Sequence, residues 1–271
     1  MPTVLLLPDS ALLVPGVGGA LADPLGAARD AVLTALAVSG APDVSATSGG
    51  LGAQAAGSVL VIAPGGQDRV LTGPFGDGLA AAGIGDGSPG DGVAVPGAAR
   101  SAVVRAGAAR AGVAAATALH LLRLAGHDPD RSATVLETSR DQGRIAAVLP
   151  ASPEVPSSPE LVLVVGSLSA RHGPDAPLPD DPAARDADAA LLAAVAEGPR
   201  AVATAFQGLS VADCDRLAIT AGRPWRVLLS LLAGAGAGAG ALPEAEADLL
   251  WSGVPGGAQH LVARWQIEAA A

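Results

Sequence analysis

The chain contains no lysine, no tyrosine and no asparagine, so all 16 of its basic residues are arginine. Without lysine there is no phosphate-binding loop of the usual Gly-Lys type, no Schiff base and no pyridoxal anchor. Without tyrosine a Tyr-Lys hydride-transfer pair is excluded as well. A single cysteine, Cys214, rules out an internal disulfide, a Cys-rich zinc site and an iron-sulfur cluster, each of which needs at least two thiolates. It sits between Asp213 and Asp215, whose charges oppose a thiolate, so it reads as a buried structural thiol. Positive charge is also scarce. The 271 residues carry a net charge of -10, which repels phosphate backbones and anionic membranes and argues against a nucleic-acid partner. Long apolar runs are missing too: Val4 to Leu7 is too short for a signal core, and 227–242 falls short of the ~20 residues of a membrane span. A cytoplasmic protein with no membrane partner is the expectation.

What is present is a core-forming chain, half hydrophobic, in which short apolar runs alternate with helical patterns. Strands are expected at Thr3 to Leu7, Ser58 to Ala63, Ala133 to Glu137, Ile145 to Leu149 and Glu160 to Val165. The strand-like runs end in polar or glycine-rich segments: Pro8-Asp9-Ser10, Pro64-Gly65-Gly66-Gln67 and Gly166-Ser167-Leu168-Ser169. Helices are expected at Pro24 to Ser39, Ser101 to Ala125, Pro182 to Glu197, Pro199 to Gln207, Val211 to Ala221 and Pro224 to about Gly234. Leu71 to Gly97, rich in Gly, Asp and Pro, reads as a surface loop with short strands. Ala247 to Ser252 and Gln259 to Gln266 read as a closing hairpin. The expected architecture is a single α/β domain over 1–271, with a central, mostly parallel sheet flanked by helices. In such sheets ligands bind at the carboxyl ends of the strands.

Several segments fall short of the chemical motifs they approach. Gly16-Val17-Gly18-Gly19 lies well beyond the first strand end, and no acidic residue closes the second strand, which disfavours dinucleotide binding. Gly166-Ser167-Leu168-Ser169 does not match the Gly-x-Ser-x-Gly elbow of serine hydrolases. Among the four histidines, His120 falls in a helix, His127 follows its end, and His260 alternates with apolar residues in the last strand and reads as structural. No two have the spacing of metal ligands on one helix face. The acidic cluster from Asp175 to Asp188 reads as a solvated loop and helix start, where negative charge is favoured.

Several segments together resemble the catalytic B-subunit type of class III extradiol ring-cleaving dioxygenases, and particularly its short B-subunit-like members. They are Leu7-Pro8-Asp9-Ser10-Ala11-Leu12-Leu13-Val14-Pro15, then Val164-Val165-Gly166-Ser167-Leu168-Ser169-Ala170-Arg171-His172. Downstream come Asp180-Asp181-Pro182-Ala183-Ala184-Arg185-Asp186, Gly222-Arg223-Pro224-Trp225-Arg226-Val227-Leu228 and Gly257-Ala258-Gln259-His260-Leu261-Val262-Ala263-Arg264-Trp265. The resemblance implies the family's fold and an Fe(II) site of two histidines and one carboxylate, with a further histidine as acid/base. The chain departs from that set. Asp9 stands where the first metal histidine is expected, Gly65-Gly66-Gln67 where the second is expected, and Leu168-Ser169-Ala170 where the base motif is Leu-Ser-His, with His172 two residues on. Glu244 and Glu246 are third-ligand candidates by position alone.

The resulting expectation is a degenerate iron site with no metal and no resident cofactor, on a scaffold that binds a small molecule or a protein. The pocket is expected at the strand ends, with Asp9, Ser10, Gln67 and Ser169 as ligand-binding residues and His172 as the residue nearest to catalysis. The alternative is an active ring-cleaving oxidoreductase using Fe(II) in a rearranged Asp/His/Glu site. The resemblance also implies homo-oligomers.

Overall fold

The computed structural model describes residues 2–18, 23–39, 58–76, 78–84, 108–139, 154–235 and 241–268. The strands are β1 (Thr3–Leu7), β2 (Val59–Pro64), β3 (Arg69–Thr72), β4 (Ala133–Thr138), β5 (Leu161–Val165), β6 (Ala245–Gly253) and β7 (His260–Ile267). The helices among the described residues are α1 (Gly26–Ser39), α2 (Val113–Leu124), α3 (Pro129–Ser132), α4 (Pro182–Glu197), α5 (Pro199–Ala205), α6 (Val211–Leu217) and α7 (Gly222–Ala235). The strands form one sheet in the order β3-β4-β2-β5-β1-β7-β6. Its four central strands, β4, β2, β5 and β1, are parallel, and the flanking pairs β3/β4, β1/β7 and β7/β6 are antiparallel.

Both faces of the sheet are covered, which explains why β1, β2 and β5 are continuous apolar runs without polar alternation. Side chains still alternate between two cores. Val4, Leu6, Leu60, Ile62, Val162 and Val164 pack against Val195 of α4 and Trp225 and Leu228 of α7. Leu5, Leu7, Val61, Leu163 and Val165 face the other way, onto Leu36 of α1 and Leu119 and Leu122 of α2. Trp265 of β7 is fully buried in the first core, and its indole N–H donates to the Val195 carbonyl at 2.9 Å, so the polar edge of the ring is satisfied.

Local chemistry sets the helix ends. Asp181 caps α4, accepting from the Ala183 N–H, with Pro182 at the first helical position. Ser210 and Asp213 form a reciprocal capping box on α6. Two sequence expectations change here. The helix expected from Ser101 begins only at Val113 in the described chain, because Ala109 is held by Pro74 and Gly76 through backbone hydrogen bonds of 2.9 and 2.8 Å. The helix expected to run to Ala221 stops at Leu217, where Ala218 turns into the left-handed region at φ 56°. The strand expected at Ile145 to Leu149, residues 101–107 and Gly19 lie outside the described residues.

Candidate functional site

The parallel strands end at one edge of the sheet, and their registers decide which residues meet there. Leu7 of β1 pairs with Val165 of β5, so extending that register by two residues places Asp9 beside Ser167. Leu6 pairs with Ala263 of β7, and extending that antiparallel register by three places Asp9 opposite His260. Chain ends more than 250 residues apart are thereby brought to one point.

Hydrogen bonds complete the cluster. Ser167 Oγ lies 2.5 Å from Asp9 Oδ1 and 2.7 Å from His260 Nδ1. The backbone of Ser167 is pinned: its N–H donates to Thr220 Oγ1 at 2.8 Å, and its carbonyl accepts from the Ala221 N–H at 3.0 Å. The preceding Gly166 N–H donates to the Leu7 carbonyl at 2.8 Å. Gly166 is glycine because a Cβ there would lie 2.4 Å from Ala221 Cα. Ser167 and His260 are buried, and Asp9 is half-buried.

A hydroxyl has one proton, which assigns the network. The 2.5 Å contact falls in the range of an O–H donating to a carboxylate, so with Asp9 ionised the Ser167 proton points to Asp9. Nδ1 of His260 must then carry hydrogen and donate to Ser167 Oγ, and in the neutral ring, which burial favours, the lone pair is on Nε2. This is the reverse of a nucleophilic triad, in which the imidazole lone pair faces the serine. Burial holds the His260 pKa below its usual value, and the Asp9 charge opposes that shift.

A second pair lies in the loop after β5. His172 Nε2 is 2.6 Å from Asp188 Oδ2, and the Ser169 N–H donates to the Asp188 carboxylate at 3.0 and 3.3 Å to its two oxygens. Burial raises the Asp188 pKa, and the hydrogen bonds from His172 and Ser169 pull the other way. The loop is laced to the segment before β7: Leu168 N–H donates to Gln259 O, Gln259 N–H to Ser169 O and His172 N–H to Gly257 O.

A third carboxylate, Glu137 at the end of β4, is 1% exposed. Arg69, its cross-strand partner in β3, donates from Nε at 2.7 Å, and the Gly112 N–H donates at 2.5 Å. The neighbouring Gly65 leaves room for this carboxylate; a Cβ there would lie 2.7 Å from Glu137 Cβ.

The expected site residues are all carried by loops that leave the carboxyl ends of β1, β2 and β5, but they have different roles. Asp9 joins the buried cluster. Ser10 caps a short 3-10 turn, accepting from the Leu12 N–H at 3.2 Å. Gln67 is exposed in the turn between β2 and β3. Ser169 is fully buried, its hydroxyl donating to the Leu217 carbonyl at 2.7 Å, which makes it a fastener of α6. His172 is oriented by Asp188.

Sequence reasoning missed Ser167, His260 and Asp188. Asp188 is not solvated as expected but 2% exposed, since it occupies the inward stripe of α4 formed by Ala184, Leu191 and Val195. That carboxylate on an otherwise apolar stripe was the available signal. Cys214 is buried, and burial is the main cause that raises its pKa, in keeping with a structural thiol.

The residues present do not fit the iron implied by the resemblance. Asp9 Oδ1 and His260 Nδ1 are both committed to Ser167, Glu137 is enclosed by Arg69 and Gly112, and Gly65 has no space for a side chain. Glu246 pairs with Gln266, which pairs with Thr3, so Glu246 and the adjacent Glu244 lie at the amino edge of the sheet. Along the six residue steps from Thr3 to Asp9 that is about 20 Å away. Among the described residues no three His, Cys, Asp or Glu side chains are placed to hold a metal ion. Also among the described residues, no helix is long and apolar enough to cross a membrane. The sequence matches no family model and no curated protein.

Proposed function

We propose that the chain is a class III extradiol dioxygenase-like protein of the B-subunit type whose iron site has degenerated, and that it binds a small molecule at the carboxyl edge of its sheet. The observation that carries this reading is the Asp9, Ser167 and His260 cluster. The position at which the resemblance expects a metal ligand instead holds a carboxylate bonded to a serine, and that serine is fixed by an imidazole. Such a cluster orients hydrogen bonds toward a ligand but supplies no open coordination positions for a catechol and dioxygen. The competing reading, ring cleavage through Asp9, His172 and a glutamate, needs Glu244 or Glu246 beside Asp9, and both are at the far edge.

The test is an anaerobic Fe(II) titration of the metal-free protein, followed by a catechol oxidation assay in air. The expected result is no tight one-to-one binding and no ring cleavage. Stoichiometric binding that disappears in both Asp9→Ala and His172→Ala would overturn the reading and restore a metal-dependent enzyme.

A further inference from the structure

Two half-buried carboxylates at the carboxyl edge, Asp9 and Asp68, have no ion-pair partner among the described residues, and Asp68 accepts the Ser139 N–H at 2.6 Å. Glu137 is paired with Arg69, and Asp188 is hydrogen-bonded to His172. Asp9 has neither; its Oδ1 receives only the Ser167 hydroxyl, and among the described residues no arginine or protonated partner reaches it. Nine described arginines are meanwhile paired with other carboxylates: Arg29, Arg69, Arg123, Arg131, Arg185, Arg200, Arg216, Arg223 and Arg264. The chain has no lysine that could serve instead. A half-buried carboxylate with no counter-charge is costly unless something else supplies one.

The neighbouring groups define what that something can be. Once the Ser167 proton is on Asp9 and His260 donates through Nδ1, the cluster has no donor left to offer. What it presents are acceptors, the second oxygen of Asp9 and Nε2 of His260, and the latter has no hydrogen-bond partner among the described residues. An anionic ligand would meet a carboxylate and a lone pair with nothing to bind it. A ligand bearing positive charge and N–H donors meets both, and the net charge of -10 favours its approach.

We infer that the ligand is an amine, whose ammonium N–H groups serve the free oxygen of Asp9 and Nε2 of His260. This rests on the binding reading above and names the ligand class for that site. Ser167 is the positioning residue, since it fixes the carboxylate and the imidazole relative to each other.

The experiment compares three probes with the same aromatic body, 2-phenylethylamine, 2-phenylethanol and 3-phenylpropionate, by saturation-transfer NMR and calorimetry on the full chain at neutral pH. The amine is expected to bind at least tenfold more tightly than the other two, to lose at least tenfold in Asp9→Asn, and to be unaffected by Asp175→Asn on the exposed loop. Should Asp9→Asn not fold, the ring ¹⁵N resonances of His260 in the wild-type protein serve in its place, and the amine is expected to shift them. Equal or tighter binding of the alcohol or the carboxylate would overturn the cation inference and leave the binding reading standing. Amine binding that is indifferent to Asp9→Asn, or that leaves the His260 resonances unmoved, would also overturn it. No binding by any of the three would do the same, and a further null result across a broad fragment library would remove the binding reading too.

Discussion

The chemistry of this protein turns on how few protons one hydroxyl can share. Ser167 serves Asp9 as donor and His260 as acceptor, and that division fixes which ring nitrogen faces the serine. His260 is buried, and burial disfavours its charged form, so its pKa in the folded chain lies below the ordinary value of 6.5. The linkage has a definite sign. A depressed histidine pKa means that the unfolded chain binds the proton more readily, so the contribution of His260 is fully present above pH 6.5. It is lost as pH falls through the folded pKa. Replacement by glutamine keeps a side-chain N–H for Ser167 but removes the titration. Urea midpoints measured from neutral to mildly acidic pH should therefore fall more steeply for the wild type than for His260→Gln. Parallel slopes in the two proteins would mean that another group governs the acid limb. His260 shows where reading the sequence stops short: its alternation with Leu261 and Ala263 marks it as a buried strand residue, but nothing local reveals that its partner is a serine 93 positions earlier.

At the scale of elements, the apolar runs of β1, β2 and β5 are legible because both faces of a parallel strand are buried, and the segments found match those expected to within one residue at either end. The helix expected from Ser101 is less legible, since Ala-rich sequence favours helix while a backbone bridge to Phe75 holds Ala109 extended. Helix α4 carries both kinds of information. Its cap and proline are plain in sequence, whereas Asp188 hides in an acidic run although it faces the core. Burial raises the Asp188 pKa, so a proton is held more tightly in the folded state. Its contribution is fully present below pH 3.8 and is lost as pH rises through the folded pKa. Asp188→Asn has no such loss, so its stability relative to wild type should improve as pH rises through that window. A difference that stays flat with pH would refute this. Asp188→Ala is a different case: it removes the partner of the half-buried His172 ring and orphans the buried Ser169 N–H, the latter at about 1–3 kcal/mol. Chemical denaturation checks both variants.

For the whole molecule, the sheet order is what makes a site from scattered residues. Strand propensity identifies β1, β5 and β7 but cannot say that β1 lies between the other two, since that follows from how helices α4 to α7 return the chain across one face. The same topology turns Asp9 and His260 into a fastening between the first and last strands, through a serine at the end of the third partner. If the fastening acts as a unit, removing either end already releases the other, because Ser167 loses the arrangement both depend on. A double-mutant cycle of Asp9→Ala and His260→Ala, followed by urea unfolding, should then give a coupling energy of about 0.5–3 kcal/mol, the range for residues sharing one hydrogen-bond network. The double variant should be less destabilised than the sum of the singles. Repeating the cycle in a Ser167→Ala background should abolish most of the coupling, since the hydroxyl is the only described hydrogen-bonded link between the two side chains. Additivity in the wild-type background would show that Asp9 and His260 are independent neighbours, and the acceptor pair inferred for the ligand would lose its physical basis.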